Sequence, residues 1–279
     1  MGLALQLILG LFLSSLIGLI AYRRGSLSRS GVIGAIIVGA AIFGFGGLAW
    51  GLTLIVFFFS SSLLSHYKES IKENLAEKFE KGHQRDLGQA LANGGAGAAL
   101  AAIYALSPNP LLIAAFAGAM ATVNADTWAT ELGVLNAKPP RLITTGKVVE
   151  VGTSGGVSLR GTLAALLGAL TIGAALAILY WSAQLFFRAI SEASPLVIFV
   201  AATIGGLAGS LFDSLLGATV QAIYHCPACD KETERRLHAC GTPTTLKRGW
   251  CWLNNDWVNF ISSMAGATIA IALWRLFYP

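Results

Sequence analysis

Apolar runs of membrane-crossing length recur along this chain from end to end. A helix needs about 20 consecutive apolar residues to cross the hydrocarbon core. Leu3 to Tyr22, Leu48 to Leu64, Leu87 to Leu106, Leu111 to Leu135, Gly161 to Trp181, Leu196 to Tyr224 and Trp257 to Leu276 meet or approach that length. Gly31 to Phe45 is glycine-rich and only about three-quarters of it. Counting it gives eight spans, with the fourth and fifth joined by the tight turn Ser107-Pro-Asn-Pro110. The first run has no basic residue ahead of it and Arg23 and Arg24 behind it, which marks a retained span and not a cleaved signal peptide. Charged residues make up 12% of the 279, about half the share of an ordinary soluble domain, too few to clothe a water-facing globule of this size. That excludes a soluble enzyme, a disordered chain and a nucleic-acid-binding module. The expected fold is an all-α polytopic bundle, one integral membrane domain over residues 1–279. Nothing in the sequence sets an oligomeric state.

The loops test the count independently. With the N-terminus outside, alternate loops fall in the cytoplasm, and these hold every one of the 19 Lys and Arg except Arg188 and Arg275. A wrong span count would scramble that separation, so the positive-inside rule supports both number and orientation. The net charge of +5 then reads as loop charge beside an anionic membrane surface. Residues 66–85 alternate charge at helical spacing, as expected of a solvated connecting helix.

Ionisable groups inside spans are expensive and mark functional sites by default. Here they gather toward one face: Asp126 and Glu131 in the cytoplasmic half of the fifth span, Asp213 in that of the seventh, Asn254, Asn255, Asp256 and Asn259 opening the eighth, and Asn93 near the start of the fourth. On a helical wheel Asn124, Asp126, Thr127, Thr130 and Glu131 share an arc about 160° wide. Asp126 and Glu131 are about 140° apart on it, so sharing one small ligand atom would require a helix break or a partner helix. In the seventh span Gly205, Gly209, Asp213 and Gly217 recur every four residues, a small-residue seam that lets a neighbouring helix approach the carboxylate.

The loop after the fifth span carries Arg141, Lys147 and then Gly152-Thr-Ser-Gly-Gly-Val-Ser158, directly before a helix N-terminus. Gly152, Gly155 and Gly156 allow backbone N–H groups to converge, Thr153, Ser154 and Ser158 add hydroxyls, and the whole favours an anion such as phosphate. The lysine precedes the glycines by several residues, so this is no Walker A loop. Beside carboxylates able to hold Mg²⁺, the pairing suits phosphate chemistry.

All four cysteines fall in one segment, residues 225–251: Cys226-Pro-Ala-Cys229, His238-Ala-Cys240 and Cys251. In a reducing cytoplasm this pattern reads as a structural Zn²⁺ site inserted between the last two spans. Cys226, Cys229 and Cys240 supply three ligands, and the fourth is His238 or Cys251.

Asn124-Ala-Asp-Thr-Trp-Ala-Thr-Glu-Leu-Gly133, the Lys147 to Ser158 loop and Asn254-Asn-Asp-Trp-Val-Asn259 together resemble the signature of the family containing transmembrane protein 19, also called the domain-of-unknown-function 92 family. That family includes the plant phytyl-phosphate kinase of tocopherol synthesis, and the resemblance covers nearly the whole chain. It implies a phosphotransferase that moves the γ-phosphate of a nucleoside triphosphate such as CTP to a prenyl monophosphate, giving the diphosphate. On that reading Asp126 and Glu131, with Asp213 or Asp256, hold Mg²⁺. Lys147, Arg141 and the Gly152–Ser158 loop hold phosphates; Asn93, Asn124, Asn255, Asn259, Thr127 and Thr130 orient oxygens. The lipid tail lies between helices along small-residue faces. The competing readings are a lipid-phosphate cytidylyltransferase and a transporter of a small anion or lipid phosphate; transporters tend to place polar sites at the midplane and to carry internal repeats, which this sequence does not display. The expected setting is a prokaryotic plasma membrane or a thylakoid, with the active site facing the cytoplasm.

Overall fold

A computed structural model describes residues 2–68, 84–136, 138–187 and 194–278. The expected charged connecting helix falls almost wholly on residues outside these, as does Arg188. Eight helices carry the described chain: α1 (Leu3–Arg23), α2 (Arg29–Gly46), α3 (Leu48–His66), α4 (Leu87–Leu106), α5 (Pro110–Gly133), α6 (Leu159–Phe187), α7 (Pro195–Thr219) and α8 (Asn255–Phe277). Seven are long and apolar enough to span a bilayer. The remaining one, α4, has a span's length at 20 residues but is built largely of Ala and Gly. The short second run is extended by its flanks, because Ser28 caps Gly31 N–H and starts the helix at Arg29, giving 18 residues or about 27 Å.

The caps lie where the sequence punctuates. Asn109 caps α5 just ahead of Pro110, while Asp86 and Gln89 form a reciprocal capping box at the head of α4. At the centre of the bundle is α5, whose residues from Ile113 to Ala125 are all buried. Its alanine-rich surface lets α6, α7 and α8 close around it, with α3 and α4 beside them and α1 packed outside on α2. The outer face of α1 presents Ile8, Phe12 and Leu16, as a lipid-facing helix should. At the end of the bundle where α3 and α5 begin, Trp50 stacks on Phe116 at 4.1 Å and donates its indole N–H to the Tyr180 hydroxyl. That end is sealed by aromatic packing.

Polar structure gathers at the opposite end. Strands β1 (Arg141–Leu142) and β2 (Gly156–Val157) pair antiparallel and flank the glycine-rich loop. Between α7 and α8 a three-stranded sheet, in the order β4 (Lys231–Thr233), β3 (Ile223–Cys226), β5 (Thr245–Arg248), folds the cysteine segment. Exposed Trp250, Trp252 and Trp257 stand where α8 enters the bundle, the aromatic pattern of a membrane interface.

Candidate active site

The crossing of α5 and α7 decides where the carboxylates go. Gly209 packs directly onto Thr122, and a Cβ there would overlap the threonine side chain. Both helices run the same way through the bundle. One turn onward from that contact, four residues along each chain, stand Asp126 and Asp213. One turn further on α7, Gly217 receives the glycine-rich loop, with the ideal Cβ position 2.8 Å from Ser154 Oγ and 3.0 Å from Gly155 N. The small-residue seam therefore serves two partners in succession, α5 and the loop, with a carboxylate between them.

Around these groups lies a cavity of about 330 Å³. Its lining includes Asp126, Thr127, Thr130 and Glu131 from α5, Asp213 from α7, Asn255, Asp256 and Asn259 from α8, Asn93 from α4, and Gly152, Thr153, Ser154, Gly155, Gly156 and Ser158 from the loop. Helices α5 and α7 end here and α4, α6 and α8 begin here, so residues far apart in sequence meet at one end of the bundle.

Three candidates stand elsewhere. Asn124 is fully buried, where its side-chain amide donates to Gly168 O at 2.8 Å and its carbonyl accepts from Ser60 Oγ at 3.0 Å. It ties α3, α5 and α6 together, as expected of a residue at the far edge of the polar arc, about 160° from Asp126. Arg141 is exposed and donates to Gly146 O at 2.8 Å, bending back over its own hairpin. Lys147 is also exposed, outside the cavity lining.

The loop is a built turn. Thr153 N–H donates to Glu150 O and Gly156 N–H to Thr153 O, so these two donors are spent internally and not on an anion. Gly155 has φ +83°, and a Cβ on it would stand 2.5 Å from the Ala218 backbone. Ser158 Oγ accepts from Gly161 N–H at 3.1 Å and so caps α6.

Five carboxylates line the cavity among the described residues, Asp126, Glu131, Asp213, Glu234 and Asp256, against a single guanidinium, Arg85. Such a chamber repels a polyphosphate unless cations enter with it. Two buried acceptors on residues that line it, Asp213 Oδ2 and Asn259 Oδ1, have no hydrogen-bond partner. Orphaned hard oxygens of this kind suit Mg²⁺. Among the described residues no trio of these carboxylates lies within reach of one ion. Glu131 accepts from Ser65 Oγ at 2.6 Å, toward α3, whereas Asp126 stands on the α7 side, one turn past the Gly209–Thr122 contact, as does Asp213. The wheel angle between Asp126 and Glu131 thus sends them to different partners. A pair of carboxylates plus phosphate oxygens is the usual Mg²⁺ arrangement, so the geometry fits Asp126 with Asp213 better than all three acids.

The cysteine segment forms a second cluster. Ligand atoms of Cys226, Cys229, His238 and Cys240 all lie within 4.8 Å of one another. Tetrahedral Zn²⁺ implies S···S edges of about 3.8 Å and S···N edges of about 3.5 Å. The structure has 3.7 Å between the Cys226 and Cys240 sulfurs and 3.6 Å between Cys229 Sγ and His238 Nδ1, with His238 Nδ1 to Cys240 Sγ shorter at 3.1 Å. Hydrogen bonding with Thr242 and then His238 brings the Cys240 thiol down to about 6, while hydrogen bonding with Cys240 pushes the Cys229 thiol up to about 11. The residues fit Zn²⁺, with His238 in the fourth position; Cys251 is exposed and outside the group.

This cluster reaches the cavity through its own sheet. Arg248 of β5 donates to Gly217 O at 2.7 Å and to Ser154 O at 3.3 Å. Gln221 accepts from Ser154 Oγ at 2.9 Å and donates to Glu234 at 2.8 Å. Sequence reasoning missed Arg85, Glu234 and Arg248 as site residues. Arg85 alone carried a signal, since it immediately precedes the Asp86–Gln89 capping box and so stands at a helix entry into the membrane.

Comparison with known proteins places the chain. Residues 12–267 match the family described as integral membrane protein DUF92. The protein belongs to this family. It is 36% identical to Protein PGR of Arabidopsis thaliana over 92% of each chain, and 29% identical to the uncharacterized membrane protein MJ0933 of Methanocaldococcus jannaschii over 97% of this chain and 95% of that one. It is also 29% identical to the chloroplastic Protein VTE6 of Arabidopsis thaliana, matching 88% of this chain and 65% of the relative. No solved structure matches.

Proposed function

We propose that the protein is a prenyl-phosphate kinase, transferring the γ-phosphoryl group of a nucleoside triphosphate to a prenyl monophosphate such as phytyl phosphate. The observation that carries this reading is the convergence of Asp126, Asp213, Asp256 and the glycine-rich loop on one cavity at a single end of a membrane bundle. Kinship with VTE6, the plant phytyl-phosphate kinase, supports the choice of reaction.

The chemistry asks little of a base. An oxygen of the acceptor monophosphate bonds to the γ-phosphorus, the bond from that phosphorus to the β,γ-bridging oxygen breaks, and the nucleoside diphosphate leaves. The acceptor is already an anion at neutral pH, so no proton has to be removed. Catalysis then rests on positioning and charge neutralisation. Asp126 and Asp213 supply the hard oxygens for Mg²⁺, and Asn259 Oδ1 adds a neutral one. A Mg²⁺ held there would offset the charge of the phosphates. The loop shapes the phosphate seat, while Glu131, engaged with Ser65, fixes the end of α5 against α3. Cys226, Cys229, His238 and Cys240 would hold a structural Zn²⁺, which would brace the sheet from which Arg248 reaches the loop. The positive-inside distribution of Lys and Arg supports a cavity that faces the cytoplasm.

The test is purified protein incubated with γ-labelled nucleotides and phytyl, geranylgeranyl or farnesyl monophosphate, with and without Mg²⁺. Label in a prenyl diphosphate only when Mg²⁺ is present supports the proposal. Release of pyrophosphate with a cytidylylated lipid, or uptake into sealed vesicles without transfer, replaces it.

A further inference from the structure

A second cavity, about 80 Å³, lies among α1, α2, α3 and α4. Ile17, Ala35, Val38, Leu54 and Phe58 form much of its apolar wall. Only at one point does it meet strongly polar groups: Arg85, Gln89 and Asn93, spaced four apart along the entry and first turns of α4, line this cleft and the 330 Å³ cavity alike. The two spaces therefore adjoin across a single polar stripe, with hydrocarbon-like walls on one side and carboxylates, amides and the glycine loop on the other.

Arg85 is fixed at that junction. Its backbone N–H donates to Ser26 O at 3.1 Å and its carbonyl accepts from Ser28 N–H at 3.0 Å, clamping it to the α1–α2 turn. Gly31 allows this approach, since a Cβ there would overlap the Arg85 carbonyl. The guanidinium lies 5.8 Å from the ring centres of both Phe57 and Phe58. A cation held against aromatic faces, at the boundary between an apolar cleft and a phosphate-type chamber, matches an amphiphile whose anionic head joins directly to a hydrocarbon chain.

We propose that this cleft is the subsite for the isoprenoid chain, taking the units next to the phosphate, and that Arg85 holds the acceptor's own phosphate at the junction. The remainder of the chain passes between α1 and α3 into the bilayer. The proposal rests on the prenyl-phosphate reading and assigns its acceptor subsite, on the α4 side of the cavity and across from the Asp126–Asp213 pair.

A diazirine-bearing geranylgeranyl monophosphate, photolysed with the full-length protein in nanodiscs and mapped by mass spectrometry, tests it without requiring turnover. The expected adducts fall on α1 to α4 around Ala35, Leu54 and Phe58, are competed by unlabelled geranylgeranyl monophosphate and not by geranylgeraniol, and drop about tenfold or more in Arg85→Gln. Ala35→Phe, which narrows the wall without touching a polar group, should displace the adducts while leaving the thermal unfolding midpoint within a few degrees. Adducts confined to α6 or α7, or equal competition by the alcohol, overturn the subsite. Diphosphate formation in parallel wild-type samples keeps the two readings apart: product without cleft adducts overturns this subsite alone, and competed cleft adducts without product support it while removing the kinase reading.

Discussion

Arg248→Ala separates what the cysteine-rich sheet does for the site from what it does for itself. The residue lies outside the Cys226, Cys229, His238 and Cys240 cluster, yet its guanidinium ties Gly217 O on α7 and Ser154 O in the glycine loop into one joint. Hydrogen bonds from a charged donor contribute about 1.5–3 kcal/mol each when buried. One of these is short at 2.7 Å and the other long at 3.3 Å, and the side chain is half-buried, so solvent offsets part of the gain. About 2 kcal/mol for the pair is a reasonable magnitude, which corresponds to roughly a thirtyfold shift in the equilibrium between seated and released loop. Amide hydrogen exchange follows it if the turn opens on release, because Thr153 and Gly156 N–H donate to Glu150 O and Thr153 O inside the loop. Their protection should fall by roughly thirtyfold in Arg248→Ala, with bound zinc unchanged, and Arg248→Lys should restore part of it. Phosphoryl transfer should fall in the same order. Unchanged exchange at Thr153 and Gly156, in protein that has lost the Arg248 contacts, would refute the idea that the cysteine-rich sheet seats the loop.

Other outcomes follow from the same geometry. Asp126→Asn and Asp213→Asn should each abolish transfer at membrane abundance equal to wild type, whereas Lys147→Ala, altering an exposed side chain outside the cavity, should retain most of it. In Gly155→Ala the left-handed backbone costs about 1–2 kcal/mol before the Cβ meets Ala218. Loss of transfer with intact spans is therefore expected, read by activity beside circular dichroism. Cys229→Ser should lower bound zinc below one equivalent and expose residues 225–251 to limited proteolysis, leaving the helical signal intact.

Much of this was legible before any coordinates. Apolar length and the separation of basic loops located the helices to within a few residues at most of their ends, because the bilayer constrains each span by itself. Intramembrane polarity pointed to Asp126, Asp213, Asn93, Asn255 and Asn259 for the same reason, as each is costly where it stands. What escaped depends on contacts between distant segments. A helical wheel grouped Asn124 with Asp126, but depth and partner decide, and Ser60 and Gly168 take its amide. Arg141 and Lys147 had the right charge for phosphate, yet the β1–β2 hairpin turns them outward. Arg85 had a capping box behind it to mark a helix entry, but its place between the two cavities depends on the α1–α2 turn that holds its backbone. That His238 and not Cys251 stands beside Cys226, Cys229 and Cys240 likewise depends on the sheet that folds this segment.

Vesicles of defined sidedness give the most direct reading of a cytoplasm-facing, carboxylate-built transfer site. Everted vesicles carrying the wild-type chain, supplied with a membrane-impermeant γ-labelled nucleotide, Mg²⁺ and geranylgeranyl monophosphate, should form labelled diphosphate; right-side-out vesicles and everted vesicles of Asp126→Asn should form none. Product in right-side-out vesicles, or Asp126→Asn keeping pace with wild type, would contradict it.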